Sequence, residues 1–123
     1  MVTSIVTVYL IESDPARRAR VERALSGFVH SVVSLPSTLD LPCPDSLVRP
    51  ACAVVALKAP GLPILEFVER TCATCPVVVI GPTGDLSQVV DVMRAGASNF
   101  LDRPGDDLRL RAAVLDAVRD LPA

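Results

Sequence analysis

Five short runs rich in β-branched residues recur along this chain, each followed by a segment whose apolar residues repeat at helical spacing. That alternation yields a parallel sheet covered by helices on both faces, because a crossover between parallel strands needs a dozen or more residues. The strands are predicted at Val6 to Ile11, His30 to Leu35, Ala53 to Leu57, Val77 to Ile80 and Asn99 to Leu101. Val77-Val78-Val79-Ile80 has no polar alternation and reads as a strand buried on both faces. Asp14 is placed to cap the first helix with Pro15 at its first position, and Val21, Ala24, Leu25 and Phe28 form its buried face, with Gly27 at its end. A later helix carries Leu86, Val89, Val90, Met93 and Ala97 on one face, read as core, and the last carries Leu110, Val114, Val118 and Leu121.

The second helix is expected to be degenerate. Between Pro36 and Pro50 stand Pro42 and Pro44 as well, and an interior proline costs a helix roughly 3 kcal/mol. A short turn and an irregular loop are expected there, presenting Cys43 between two prolines.

The chain has 123 residues, enough for one domain of ordinary size and not for a separate output domain. Half of the residues are apolar and the formal net charge is -2, so a folded core is expected and neither a basic patch nor an aromatic stacking platform for nucleic acid. Its longest apolar stretch, Ala51 to Leu57, is far below the ~20 residues that span a bilayer. With no signal peptide apparent, a cytoplasmic protein without membrane insertion is expected, and reduced thiols with it.

From Val8 to Val118 the sequence resembles a response-regulator receiver domain, closest to the FixJ type. The carrying residues are Val8-Tyr9-Leu10-Ile11-Glu12-Ser13-Asp14, Ala56-Leu57-Lys58-Ala59-Pro60-Gly61, Gly84-Asp85, and Ala95-Gly96-Ala97-Ser98-Asn99-Phe100-Leu101-Asp102-Arg103-Pro104. The resemblance implies a flavodoxin-like five-stranded parallel sheet of order 2-1-3-4-5 with helices on both faces. It puts the family's magnesium-holding acidic pair on Glu12 and Ser13, its phospho-accepting aspartate on Ala56, its switch hydroxyl on Gly81 and its phosphate-pairing lysine on Arg103. An aspartyl phosphate needs a carboxylate nucleophile and oxygen ligands for a hard cation. Ala56 supplies neither, Gly81 has no hydroxyl and Glu12 alone is a weak magnesium ligand, so no phosphoryl acceptance and no magnesium site are expected. Phe100 aligns with the family's aromatic switch and is read as a core residue. A cis Arg103-Pro104 peptide is implied by the same resemblance.

Four cysteines, Cys43, Cys52, Cys72 and Cys75, fall in segments that such a sheet gathers at its amino-terminal pole, since the third and fourth strands are neighbours. Four thiolates on loops suit a soft ion, either zinc or an iron-sulfur cluster. The competing reading is packing, because cysteine behaves as a small hydrophobe. A thioredoxin-like dithiol is disfavoured, as Cys72 and Cys75 follow a helix instead of opening one. The eight residues between Cys43 and Cys52 do not resemble zinc knuckles, and the Cys75-Pro76 step favours an iron-sulfur cluster.

A single FixJ-type receiver without its nucleophile and with such a cysteine set is similar to the FixT family of small regulators. That resemblance implies a non-enzymatic feedback inhibitor of a FixL-like sensor histidine kinase in an oxygen-responsive two-component system, tuned by a cysteine-bound iron-sulfur cluster. Arg17, Arg18, Val21 and the Arg103-Pro104-Gly105 loop would face the kinase; a solvated helix face is the plain alternative for the arginines. Asp106 and Asp107 read as cap or first-turn charges. The competing function is an adaptor that pairs with another receiver through the fourth helix, fifth strand and last helix, its cysteines structural or zinc-bound. Catalysis is not expected, because Ser13 has no histidine partner and His30 belongs to the opposite edge.

Overall fold

The computed structural model describes residues 5–82, 84–102 and 107–119. Five parallel strands form one sheet in the order β2-β1-β3-β4-β5: β1 Thr7–Ile11, β2 Ser31–Leu35, β3 Ala51–Ala56, β4 Val77–Gly81 and β5 Asn99–Asp102. The expected order is therefore the observed one. Register fixes which residues share a level, with Thr7 opposite Ser31 and Ala51, and Ala53 opposite Val77. Four helices cover the sheet: α1 Pro15–Leu25, α2 Ile64–Thr71, α3 Leu86–Ala95 and α4 Asp107–Arg119. No helix among the described residues is long and apolar enough to cross a membrane.

Strand alternation splits the core into two layers. Val8, Leu10, Cys52, Val54, Ala56, Val78 and Ile80 pack under α1 and α4, against Val21, Leu25, Leu110 and Val114. Tyr9, Ile11, Ala53, Val55, Val77 and Val79 face the other way, onto Phe67 and Val68 of α2 and Val92 of α3. Residues 77 to 80 thus serve both layers, as their unbroken apolar run requires.

Helix α1 starts where the sequence places it, with the Asp14 carboxylate accepting from the Arg17 amide at 2.9 Å and Pro15 in the first turn. Phe28 is only half buried and lies under the Arg111 guanidinium, 5.5 Å from the ring centroid. The degenerate second helix is replaced by two 3-10 turns, Thr38–Asp40 and Pro44–Ser46. Thr38 ties the first of them to the loop after β3: its amide and hydroxyl donate to the Pro60 carbonyl, and its hydroxyl accepts from the Leu62 amide at 2.7 Å. Gly61, at φ +107, lies against Thr38, where a side chain would collide with the Thr38 hydroxyl. The Tyr9 hydroxyl accepts from the Val48 amide at 2.9 Å and holds the other end of the segment on the sheet.

Two expectations are corrected. Strand β3 begins at Ala51, two residues earlier than predicted, because Thr7 and Ala51 already pair across β1 and β3. Helix α3 is rotated from the expected phase: Val92 is its buried residue, while Leu86, Val90 and Met93 are 66%, 42% and 40% exposed. Its apolar residues exceed what one face against the sheet can bury, so a stripe read as core faces solvent. Leu121 lies outside the described residues, as does the Arg103-Pro104 bond; among the described residues the Arg49-Pro50 peptide is cis.

Candidate functional site

At the carboxyl ends of β1, β3 and β4 the chain leaves the sheet in three loops, beside the point where strand order reverses between β1 and β3. Open α/β sheets place their clefts there. A cavity of about 340 Å³ fills this end, lined by Glu12, Ser13, Arg17, Ala56, Leu57, Lys58, Ile80, Gly81 and Pro82. Four of the five positions assigned to the degenerate phosphorylation pocket, Glu12, Ser13, Ala56 and Gly81, are thereby brought together. The fifth, Arg103, and the docking residues Pro104 and Gly105 lie outside the described residues, as does Asp106.

Glu12 is the buried acid of the cavity. Its side chain is 4% exposed, and one carboxylate oxygen accepts from the Asp14 amide at 2.9 Å while the other meets Arg17 Nε at 3.3 Å. Arg17, one turn into α1 and 60% exposed, also lies 3.8 Å from the Asp14 carboxylate. A guanidinium therefore pairs the carboxylate that a divalent cation would need. Ala56 contributes a methyl group to the floor and Gly81 no side chain at all. A Cβ at Gly81 would stand 2.8 Å from the Cβ of Leu57, so a hydroxyl-bearing residue cannot replace it unless Leu57 moves. The role of Arg17 inside the cavity was missed in the sequence; its spacing three residues after the Asp14 cap was the available signal.

Among the other docking residues, Arg18 is half buried and Val21 fully buried. Val21 is corrected: it belongs to the core under α1 and α4 and presents nothing to a partner. Phe100 is half buried against the α2 and α3 layer, in keeping with a core role.

At the opposite pole the cysteines are not gathered. Cys43 is exposed, its sulfur 3.4 Å from the Ser46 hydroxyl. Cys52 lies within β3 and points into the α1 and α4 layer, whereas Cys75 is buried in the other layer. Cys72 ends α2, its thiol 3.7 Å from the Ala95 carbonyl at the end of α3. It also lies against Gly96, where a Cβ would come within 2.6 Å of the sulfur. The early start of β3 makes Cys52 a strand residue, sorted by alternation into the α1 and α4 layer. Burial raises the Cys52 thiol well above its ordinary range, with the nearby Cys75 adding to the shift, and pushes Cys75 from 9.0 to about 11. A soft metal or cluster needs thiolates, and no group of three or more such ligands converges among the described residues. The four thiols as arranged do not fit zinc or an iron-sulfur cluster.

Ser13 and His30 stand at opposite poles. Ser13 follows the carboxyl end of β1, while His30 precedes β2 and its amide donates to the Val6 carbonyl before β1. A five-residue strand separates those levels by about 16 Å.

No family model matches the chain. It is 34% identical over 71 residues to the transcriptional regulatory protein FixJ of Bradyrhizobium diazoefficiens, which covers 55% of this chain and 35% of that protein. It is 30% identical over 115 residues to the C4-dicarboxylate transport transcriptional regulatory protein DctD of Pseudomonas aeruginosa, covering 91% of this chain and 24% of that protein. The chain thus spans about a third or less of these relatives' length. The crystal structure of FixJ-N superposes with a TM-score of 0.79 at 27% identity, over 96% of this chain and 97% of that one. Full-length FixJ from B. japonicum gives 0.78 at 29% identity, over 92% and 57%. These sequence relatives and structural neighbours are response regulators, with FixJ-type receiver domains among them, and the architecture of this chain is the receiver fold.

Proposed function

We propose that this chain, a response-regulator receiver domain by its relatives and its fold, accepts no phosphoryl group and instead binds a sensor histidine kinase and holds it inactive. The observation that carries this reading is the composition of the cavity at the carboxyl ends of the strands. The five-stranded receiver sheet places this cavity at the ends of its strands, yet Ala56 stands where the nucleophile would be and Glu12, the buried acid among the described lining residues, is paired with Arg17. A domain of this kind keeps a surface for its kinase while offering nothing to transfer phosphate to, so binding has no turnover to end it. The resemblance to the FixT family adds the partner class, a FixL-like kinase of an oxygen-responsive system in the cytoplasm. The exposed guanidinium of Arg17 and the half-buried Arg18 support the first helix as part of the contact. A regulator without catalysis is favoured by the separation of Ser13 from His30. Cluster tuning is not carried into this reading, because Cys52 and Cys75 would have to leave the core.

The test is a kinase autophosphorylation assay with increasing amounts of this protein. Expected are a saturable fall in phosphorylated kinase and no label on this chain. Undiminished kinase phosphorylation, or label on this chain, overturns the reading.

One observation favours a second reading, an adaptor that pairs with another receiver domain: the exposed stripe of Leu86, Val90 and Met93 on α3. Sedimentation with a FixJ-type receiver separates the two, since Val90→Glu would abolish that pairing and leave kinase inhibition intact.

A further inference from the structure

We propose that β2 is an association edge, through which two copies of this chain pair antiparallel and join their five-stranded sheets into one. The pairing does not depend on which kinase or receiver the chain regulates. The sheet has two outer strands, β2 and β5, and they are built differently. At β5 the Phe100 amide donates to the Asn99 side-chain oxygen at 2.8 Å, and Asp102 puts an exposed charge on the strand. A capped amide and a charge are the devices that keep an edge from recruiting another strand. β2, Ser31-Val32-Val33-Ser34-Leu35, carries no charge, and no proline or bulge interrupts its register with β1. Its amides that face away from β1 have no partner among the described residues. The Ser34 hydroxyl, which could have capped one, donates to the Glu22 carboxylate at 2.8 Å instead.

The face beside this edge is bare as well. Val33 lies level with Tyr9, in the layer covered by α2 and α3. The crossover from β2 to β3 runs over that face, with Leu41 and Leu47 packed on it. Because it is built of two 3-10 turns and not of a helix, it leaves Val33 38% exposed, and Val48, whose amide holds the Tyr9 hydroxyl, is exposed too. A second copy fits both the edge and the face. Directly opposed residues of an antiparallel pair point to the same side, so a two-fold pairing of identical strands must centre on a residue and not between two. Centring on Val33 sets that side chain against its own copy, Val32 against Ser34 and Ser31 against Leu35. All five residues are then used, no charge meets a like charge, and the two valines cover each other where the turns leave the face open. The two-fold also closes the assembly, because each copy spends its only unguarded edge.

The test is sedimentation velocity of the 123-residue chain under reducing conditions across a concentration series, with amide hydrogen exchange measured at both ends of the series. Expected are a mass that rises from 13.0 kDa toward twice that value and slower exchange over residues 31–35 in the concentrated sample alone. Val33→Lys sets two ammonium groups against each other and should weaken association by about tenfold or more, whereas Val33→Ile should retain it. At the dilute end the denaturation midpoint of the charged variant should match the wild type, so that its loss is one of association and not of folding. Val90→Glu, on the exposed stripe of α3, should leave the association unchanged. A chain that stays at 13.0 kDa throughout, a dimer that survives Val33→Lys, or one that is lost in Val90→Glu overturns the proposal.

Discussion

The two poles of the sheet treat chemically capable residues in opposite ways. At the carboxyl ends Glu12, Arg17 and Lys58 converge on one cavity; at the amino ends Cys43, Cys52, Cys72 and Cys75 are dispersed over a surface loop, two core layers and a helix junction. The difference lies in whether a residue sits on a loop or inside an element. Glu12 and Lys58 follow the last residues of their strands and can turn toward a shared space. Cys52 is inside β3, where alternation alone decides its direction. Closeness in sequence to the end of a strand therefore gathers side chains at one pole and fails to do so at the other.

That contrast can be broken most forcefully at Gly96. It closes α3 at φ +119 with the Cys72 thiol against it, so Gly96→Ala should cost about 3 kcal/mol in chemical denaturation from backbone strain and collision together. Adding Cys72→Ala should recover the collision part and leave the backbone part. A loss below about 0.5 kcal/mol, the size of an ordinary surface change, would mean that Cys72 is not seated there.

The cysteines themselves provide the next largest effect. Cys52→Ser and Cys75→Ser each place a hydroxyl in the core and should cost about 2 kcal/mol, whereas Cys43→Ser should be nearly silent. Equal losses at all four positions, accompanied by bound iron and sulfide in protein purified without air, would show a shared cluster and reverse the contrast between the poles.

Alkaline pH sharpens it further. Cys75 is raised from 9.0 to about 11 by burial, so its folded form holds the proton more tightly than the unfolded chain does. Its contribution is complete below pH 9 and is lost as pH rises toward 11, at about 1.4 kcal/mol per pH unit for each such thiol. Cys52 is shifted in the same direction. Denaturation midpoints measured between pH 8 and 11 should fall with that slope in the wild type and less steeply in Cys75→Ala; identical slopes would remove Cys75 as the cause.

The smallest expected effect belongs to the cavity. Arg17→Gln removes a partner that is 60% exposed from a carboxylate that is 4% exposed, which solvent screening holds to about 1 kcal/mol. A loss of several kcal/mol would show that the pair supports the fold as well as occupying the cavity.

Much of the fold was legible in the residues. The alternation of strand and helix periods gave the parallel sheet, and the unbroken run from Val77 to Ile80 marked a strand buried on both faces. Asp14 and Pro15 marked the start of α1, and the prolines from 36 to 50 marked the missing helix. The pocket positions came from the resemblance, and Glu12, Ser13, Ala56 and Gly81 line one cavity. What misled was phase. One apolar stripe on α3 looks like another until the sheet selects Val92, and Cys52 looks like a loop residue until β1 pairs with Ala51. From the sequence Arg17 reads as a docking or solvated helix residue and not as part of the cavity, since its contact with Glu12 requires the bend between β1 and α1.

The amino-acid sequence by itself determined the kinds of element along the chain and the alanine at position 56, since these depend on local periodicity, turn chemistry and residue identity. Only the tertiary structure decided which side chains meet. Pairing register and helix rotation are set by long-range burial, and they sent the cysteines into separate layers while bringing Arg17 onto Glu12.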